Sequence, residues 1–204
     1  MSELHKALGD IGSIRRQMAH STQFRGYGPA TLAATGGLAL VAAWAQSVWV
    51  PDPANQVRTF LALWIATAAV GATWTGVQMY RRTRRMHSGL SDEMIRVAVE
   101  QFLPAVGAGM LLTEVLARFV PSAVWMLPGL WQVIFSLGIF ASCRFLPRLM
   151  ILAGGWYLLS GLVLIGLGDD RALAPWTMGL GFGAGQLLVA GILLVTTPEG
   201  DEDE

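Results

Sequence analysis

The sequence predicts an all-α polytopic membrane bundle of six transmembrane helices, preceded by a cytoplasmic amphipathic helix. Three observations predict it. Charged residues make up 14% of the chain against 53% hydrophobic, whereas a soluble domain carries about 25% charged. The charges are segregated, which leaves six stretches of roughly 20 apolar residues, the length a helix needs to cross about 30 Å of hydrocarbon. Turn-forming residues fill the gaps between those stretches.

Residues 1–28 form a cytoplasmic segment in this division. Leu4, Leu8, Ile11, Ile14 and Met18 recur at helical spacing, and Lys6, Asp10, Arg16 and Gln17 lie mostly off that stripe, the pattern of an amphipathic helix. One use is a helix lying on the inner leaflet with Arg15, Arg16 and Arg25 near lipid phosphates. The other is a docking stripe laid into the groove of a protein partner. The segment lacks the short uninterrupted apolar region of a cleaved signal peptide, so the first span is expected to act as the insertion signal.

Residues 29–196 hold the six expected spans: Pro29–Val50, Phe60–Tyr80, Val97–Phe119, Ser122–Cys143, Leu149–Leu167 and Pro175–Thr196. Pro51-Asp52-Pro53 ends the first, because proline cannot donate to a helix. Pro121 and Pro147 bound the fourth. Gly168-Asp169-Asp170 ends the fifth, and Pro175 stands where a helix begins. The third span is the least apolar, with Glu100 near one end and Glu114 and Arg118 near the other. Pro104 and Pro128 fall within spans and predict kinks. Residues 197–204 form an acidic tail.

Orientation follows from basic residues. With six spans, eleven of the fourteen Lys and Arg lie on the side of the N-terminus, and Arg58, Arg118 and Arg171 lie opposite. Both termini are therefore expected in the cytoplasm of a bacterial inner-membrane protein. The same tally would hold if the third span failed to cross, so length and apolarity decide the number six. Eight Trp fit a residue that favours membrane–water interfaces.

Several polar positions stand out. Glu114 and Arg118 are four apart on one helix face and able to pair; ionisable residues in spans are costly and often functional, but a pair near a helix end can snorkel. Gln132 and Gln186, in the fourth and sixth spans, suit interhelical hydrogen bonds or the walls of a polar cavity. Arg81, Arg82, Arg84 and Arg85 follow the second span and suit anionic headgroups; without stacking aromatics they do not suggest direct nucleic-acid binding. Gly179, Gly181, Gly183 and Gly185 form two overlapping G-x-x-x-G pairs, with the same spacing at Ala33/Gly37 and Ala72/Gly76. Such pairs permit close helix approach, within the bundle first and between copies second.

Other chemistries find no residues to carry them. His5, His20 and His87 all fall in expected cytoplasmic segments, which disfavours intramembrane haem ligation and a Ser–His protease. The spans hold no aspartate, against a paired-aspartate protease. Lys6 is the only lysine, so a retinal-type Schiff base has no anchor. Phosphate-binding loops and metal-ligand spacings are absent from the sequence. The single cysteine, Cys143, allows no internal disulfide. No enzyme, cofactor or metal is expected.

The run Ile11-x-x-Ile14-Arg15-x-x-Met18-x-x-Ser21-Thr22-x-Phe24 leads into a small-residue helix. A basic loop then precedes Phe102-Leu103-Pro104, Gly107 and Gly109, and Pro128-Gly129-Leu130 and the Gly-rich last helix follow. This layout resembles a family of bacterial six-helix membrane proteins without assigned activity, often encoded beside a winged-helix transcriptional regulator. The resemblance covers most of the chain and departs from the family in the fourth and fifth spans. It implies a process linked to that regulator and carries over no catalytic residue. The expected function is a non-enzymatic sensory or regulatory membrane protein that contacts a cytoplasmic partner through its N-terminal helix. The alternative is a small-solute transporter or channel with a polar site on the third, fourth and sixth helices.

Overall fold

A computed structural model describes residues 28–86, 89–143 and 147–196; the side chains of 82–99 and 101 are outside the description. The stripe Leu4, Leu8, Ile11, Ile14 and Met18 and the acidic tail also lie outside the described residues. The elements are α1 (Pro29–Trp49), α2 (Val57–Met86), α3 (Gly89–Phe119), a 3-10 turn (Pro121–Met126), α4 (Leu127–Ser142), α5 (Met150–Leu167), a second 3-10 turn (Asp170–Leu173) and α6 (Pro175–Thr196). All described secondary structure is helical. Among the described residues six helical segments are long and apolar enough to cross a membrane, the architecture of a multi-pass membrane protein.

The helix ends follow local chemistry. Pro29 stands in the first turn of α1, where its missing N–H removes no helical bond. Gly168 ends α5 with φ 73°, a left-handed conformation that glycine adopts without strain. Asp169 then accepts a hydrogen bond from the Arg171 backbone N–H and starts the second 3-10 turn. Two boundaries differ from the sequence-based expectation. The helix that holds the third expected span, Val97–Phe119, is longer than that span: α3 begins at Gly89. Pro128 stands in the first turn of α4, after the 3-10 turn, so it starts a helix where a mid-helix kink was expected. Pro104 does lie inside α3.

Across the bundle the order is α2, α1, α6, α5, α4, α3. The α1/α6 and α4/α5 pairs pack most extensively, while α2 and α3 flank them and touch each other only slightly. Glycines set the close crossings. A Cβ on Gly129 would stand 2.6 Å from the Gly161 carbonyl oxygen, and one on Gly161 would stand 2.6 Å from that of Gly129. α4 and α5 therefore touch backbone to backbone, gaining packing where lipid supplies no hydrophobic drive. Gly36 of α1 abuts Gly183 of α6 in the same way.

The Gly-rich face of α6 serves two neighbours. Gly179 and Gly183 meet Ala43 and Leu40 of α1; Gly181 and Gly185 meet Gln132 of α4 and Tyr157 of α5. In α1 and α2 the spacing misleads: nothing stands near Gly37 or Gly76, and the contact falls to Gly36 instead.

One end of the bundle is tightly capped. Val50, Phe60, Trp64, Leu173 and Met178 form a buried cluster there, with Trp125 and Trp131 packed on it. The connections there are short: α1 to α2, the first 3-10 turn and the second. The opposite end carries Arg81 and Arg148, and Leu32, Met150, Ala153 and Ile192 pack just inside it. Between the helices, Phe102, Phe135, Tyr157 and Phe182 join α3, α4, α5 and α6 through ring contacts of 4.8–5.6 Å. Outward faces are mostly apolar, with Leu111, Phe119, Leu159 and Val195 exposed. A surface of that kind suits lipid, and a water-soluble protein would bury it.

Candidate functional site

The buried polar groups in the spans lie on helix–helix contacts. Gln132 is fully buried. Its Oε1 accepts from Ser160 Oγ of α5 at 2.5 Å, and its Nε2 donates to the Thr177 carbonyl of α6 at 3.2 Å. One amide thus ties three helices together. The Thr177 hydroxyl is shared between the carbonyls of Ala172 and Ala174, at 2.8 and 2.6 Å, which fastens the second 3-10 turn to the start of α6. An unpaired amide in this place would cost heavily, since no water is present to compensate.

Gln46 forms a second centre that the sequence reading passed over. It is fully buried. Its Nε2 donates to the Leu173 carbonyl at 2.7 Å and its Oε1 accepts from Trp64 Nε1 at 2.7 Å. α1 is thereby joined to α2 and to the α5–α6 connection. Gln46 lies four residues from the end of the first expected span, where an amide reads as an interfacial residue. The available signal was its register: Ala39, Ala42 and Gln46 recur at helical spacing and all are buried.

Tryptophan plays two parts. The indole N–H groups of Trp64, Trp131 and Trp156 cross between helices, the latter two to Thr113 Oγ1 at 2.8 Å and to the Gly181 carbonyl at 2.9 Å. Trp44, Trp49, Trp74 and Trp176 are exposed. Interfacial preference therefore covers only part of the count.

Glu114 and Arg118 pair at 3.0 Å, with side chains 63% and 70% exposed. They face outward from α3, although the adjacent Thr113 points inward to Trp131. Gln186 is half-buried on the side of α6 that meets α1, its Cβ against Gly36. Gln132 meets the other side of α6, at Gly181. The helix itself separates the two amides, so Glu114, Arg118, Gln132 and Gln186 do not line one cavity.

Arg81 is exposed at the end of the second span, and Arg82, Arg84 and Arg85 continue α2 with side chains outside the description. Among the described residues no cluster of three His, Cys, Asp or Glu could hold a metal. In the connections, Asp52 is held below the usual carboxylate range by hydrogen bonds from the Asn55 side chain and backbone, and Asp169 by its hydrogen bond from the Arg171 side chain.

No family model, curated protein or solved structure matches the chain.

Proposed function

We propose that the chain is a non-enzymatic inner-membrane protein of sensory or regulatory type, with both termini in the cytoplasm and its N-terminal helix as the contact surface for a cytoplasmic partner. One observation carries the preference over transport. The fully buried amides Gln46 and Gln132 are engaged in helix–helix bonds, and Gln132 and Gln186 stand on opposite sides of α6. A solute path needs polar groups that converge on a shared wet space, as transporter sites do near the membrane midplane.

The packing gradient supports the same view. α1, α4, α5 and α6 form a firmly crossed core, and α2 and α3 flank it with few buried positions, 11% and 6% of their spans. α2 runs to Met86 and α3 starts at Gly89, beyond the expected spans that end at Tyr80 and begin at Val97, and an input from a partner at the N-terminal helix would arrive on that arginine side. The likeness in layout to the bacterial six-helix family belongs to this proposal and implies a process shared with a regulator.

The test is a pair of substitutions, Leu8→Glu with Ile11→Glu, in the full chain. The double variant inserts and extracts like the wild type, but loses a chemical crosslink to a cytoplasmic protein that the wild type forms in inside-out vesicles. Failure of the variant to insert would place the segment in the bundle core. A crosslink unchanged by the substitutions would remove the stripe as the contact surface.

A further inference from the structure

α2 carries an open groove of about 530 Å³ on its outward face, lined among the described residues by this helix alone. Ala69, Thr73, Trp74 and Val77 form its apolar wall, and Gln78 and Arg81 stand at one end. All six side chains are exposed. Neither Gln78 nor Arg81 has a hydrogen-bond or ion-pair partner among the described residues, so their donors are free at the rim of an apolar surface.

Length and charge identify the occupant. From Ala69 to Arg81 the helix rises about 18 Å at 1.5 Å per residue. One leaflet of a bilayer contributes about 15 Å of hydrocarbon, half of the roughly 30 Å core. The groove therefore spans one leaflet, its cation at headgroup depth and its apolar wall at acyl-chain depth. Arg81 follows the apolar stretch that ends at Tyr80 and opens the arginine run, so a phosphate meets a guanidinium suited to its geometry. Gln78, one turn deeper, offers an amide N–H to the ester or phosphate oxygens. Trp74 lies seven residues, or about 10 Å, below Arg81, where a flat ring can pack along a chain.

We propose that this face of α2 is a binding site for one anionic phospholipid of the leaflet on the arginine side, its phosphate at Arg81 and Gln78 and an acyl chain along Trp74 and Thr73. This goes beyond diffuse attraction of headgroups to an arginine run, because it assigns a depth and a chain-binding wall. It does not depend on the proposed partner of the N-terminal helix. A lipid seated there would also cover a helix that the rest of the bundle leaves largely bare.

The test is native mass spectrometry of the purified protein given phosphatidylglycerol or phosphatidylcholine in detergent. The wild type retains one phosphatidylglycerol in preference to phosphatidylcholine. Arg81→Gln lowers that preference about fivefold, the factor corresponding to about 1 kcal/mol per basic residue at an anionic membrane surface. Thr73→Trp, which fills the groove, lowers retention of both lipids. Arg58→Gln, at the opposite end of α2, changes neither. Thermal unfolding in detergent checks that all three variants fold. The proposal is overturned if Arg81→Gln and Thr73→Trp retain lipid like the wild type. It is also overturned if free glycerol phosphate displaces the lipid fully, since no chain would then be bound. Finally, it is overturned if the lipid-free wild type is a dimer that Thr73→Trp dissociates, since the groove would then seat a second copy.

Discussion

Substituting Gly161 by Ala tests the packing account at its tightest point. The added Cβ would stand 2.6 Å from the Gly129 carbonyl oxygen, 2.9 Å from Val133 Cγ2 and 3.0 Å from Val133 N. Two of these three neighbours are backbone atoms, which no rotamer change can move. The helices must separate, and overpacking of this kind costs about 1–3 kcal/mol. Alanine returns up to about 1 kcal/mol through helix propensity. With the full gain the net loss is about 0–2 kcal/mol; against a control that shares the gain, the deficit is the whole clash, about 1–3 kcal/mol or about 2–12 °C in Tm for a chain of this size. Gly155 supplies the internal control: it is in the same helix, with nothing within 4 Å of an added Cβ, so Gly155→Ala should be neutral or slightly stabilising. Thermal unfolding in a mild detergent reads both. Gly129→Ala should match Gly161→Ala, and the double change should be less than additive, because one separation relieves both clashes. A Gly161→Ala protein as stable as Gly155→Ala would refute the close crossing of α4 and α5.

Gln46→Leu strands the Trp64 N–H and the Leu173 carbonyl in a buried place, and should cost about 1–3 kcal/mol in the same unfolding assay; Gln186→Leu should cost clearly less, and equal losses would remove the special role of Gln46. Glu114→Gln and Arg118→Gln each leave a lone charge on the lipid-facing side of α3, so each should unfold below the double variant; a double variant as damaged as the two singles combined would show that the pair does not interact. Asp169 gives a pH signature. Its folded-state pKa lies below the ordinary 3.8, so its stabilisation is fully present above that value and fades as pH falls through the folded pKa. The stability gap between wild type and Asp169→Asn should therefore be constant near neutrality and narrow at strongly acid pH, and a gap that widens on acidification would contradict the assignment.

Much of this fold was legible because lipid imposes simple demands. A span must be long, apolar and hydrogen-bonded within itself, and five of the six expected spans begin and end within a few residues of the observed helical segments. The third, Val97–Phe119, ends with its helix but lies inside a longer one that begins at Gly89. The contacts were less legible. Glycine spacing announces a close crossing without naming the face, so Gly37 and Gly36 look alike in sequence although only Gly36 packs. Polarity had the same ambiguity. Gln132 and Gln186 are the same residue type, each within an apolar span, yet one bridges α5 and α6 and the other sits half-buried against α1. Gln46 stands close to Pro51, where sequence alone does not show burial, and the folded connections cover it with Leu173 and Trp64. The role of an amide in a span depends on which helix stands opposite it, and that is a property of the tertiary arrangement.

The central claim is that polar groups in the spans hold helices together and do not line a solute path. The direct measurement is thiol accessibility in intact membranes. Cys143 is changed to Ser, and single cysteines are introduced as Gln132→Cys, Gln186→Cys and, in the exposed connection after α1, Asp52→Cys. A charged, membrane-impermeant thiol reagent is then applied from either side. The account predicts rapid modification at position 52 and none at 132 or 186. Modification at 132 or 186 at a rate approaching that at 52 would reveal a water-filled route through the bundle and contradict it.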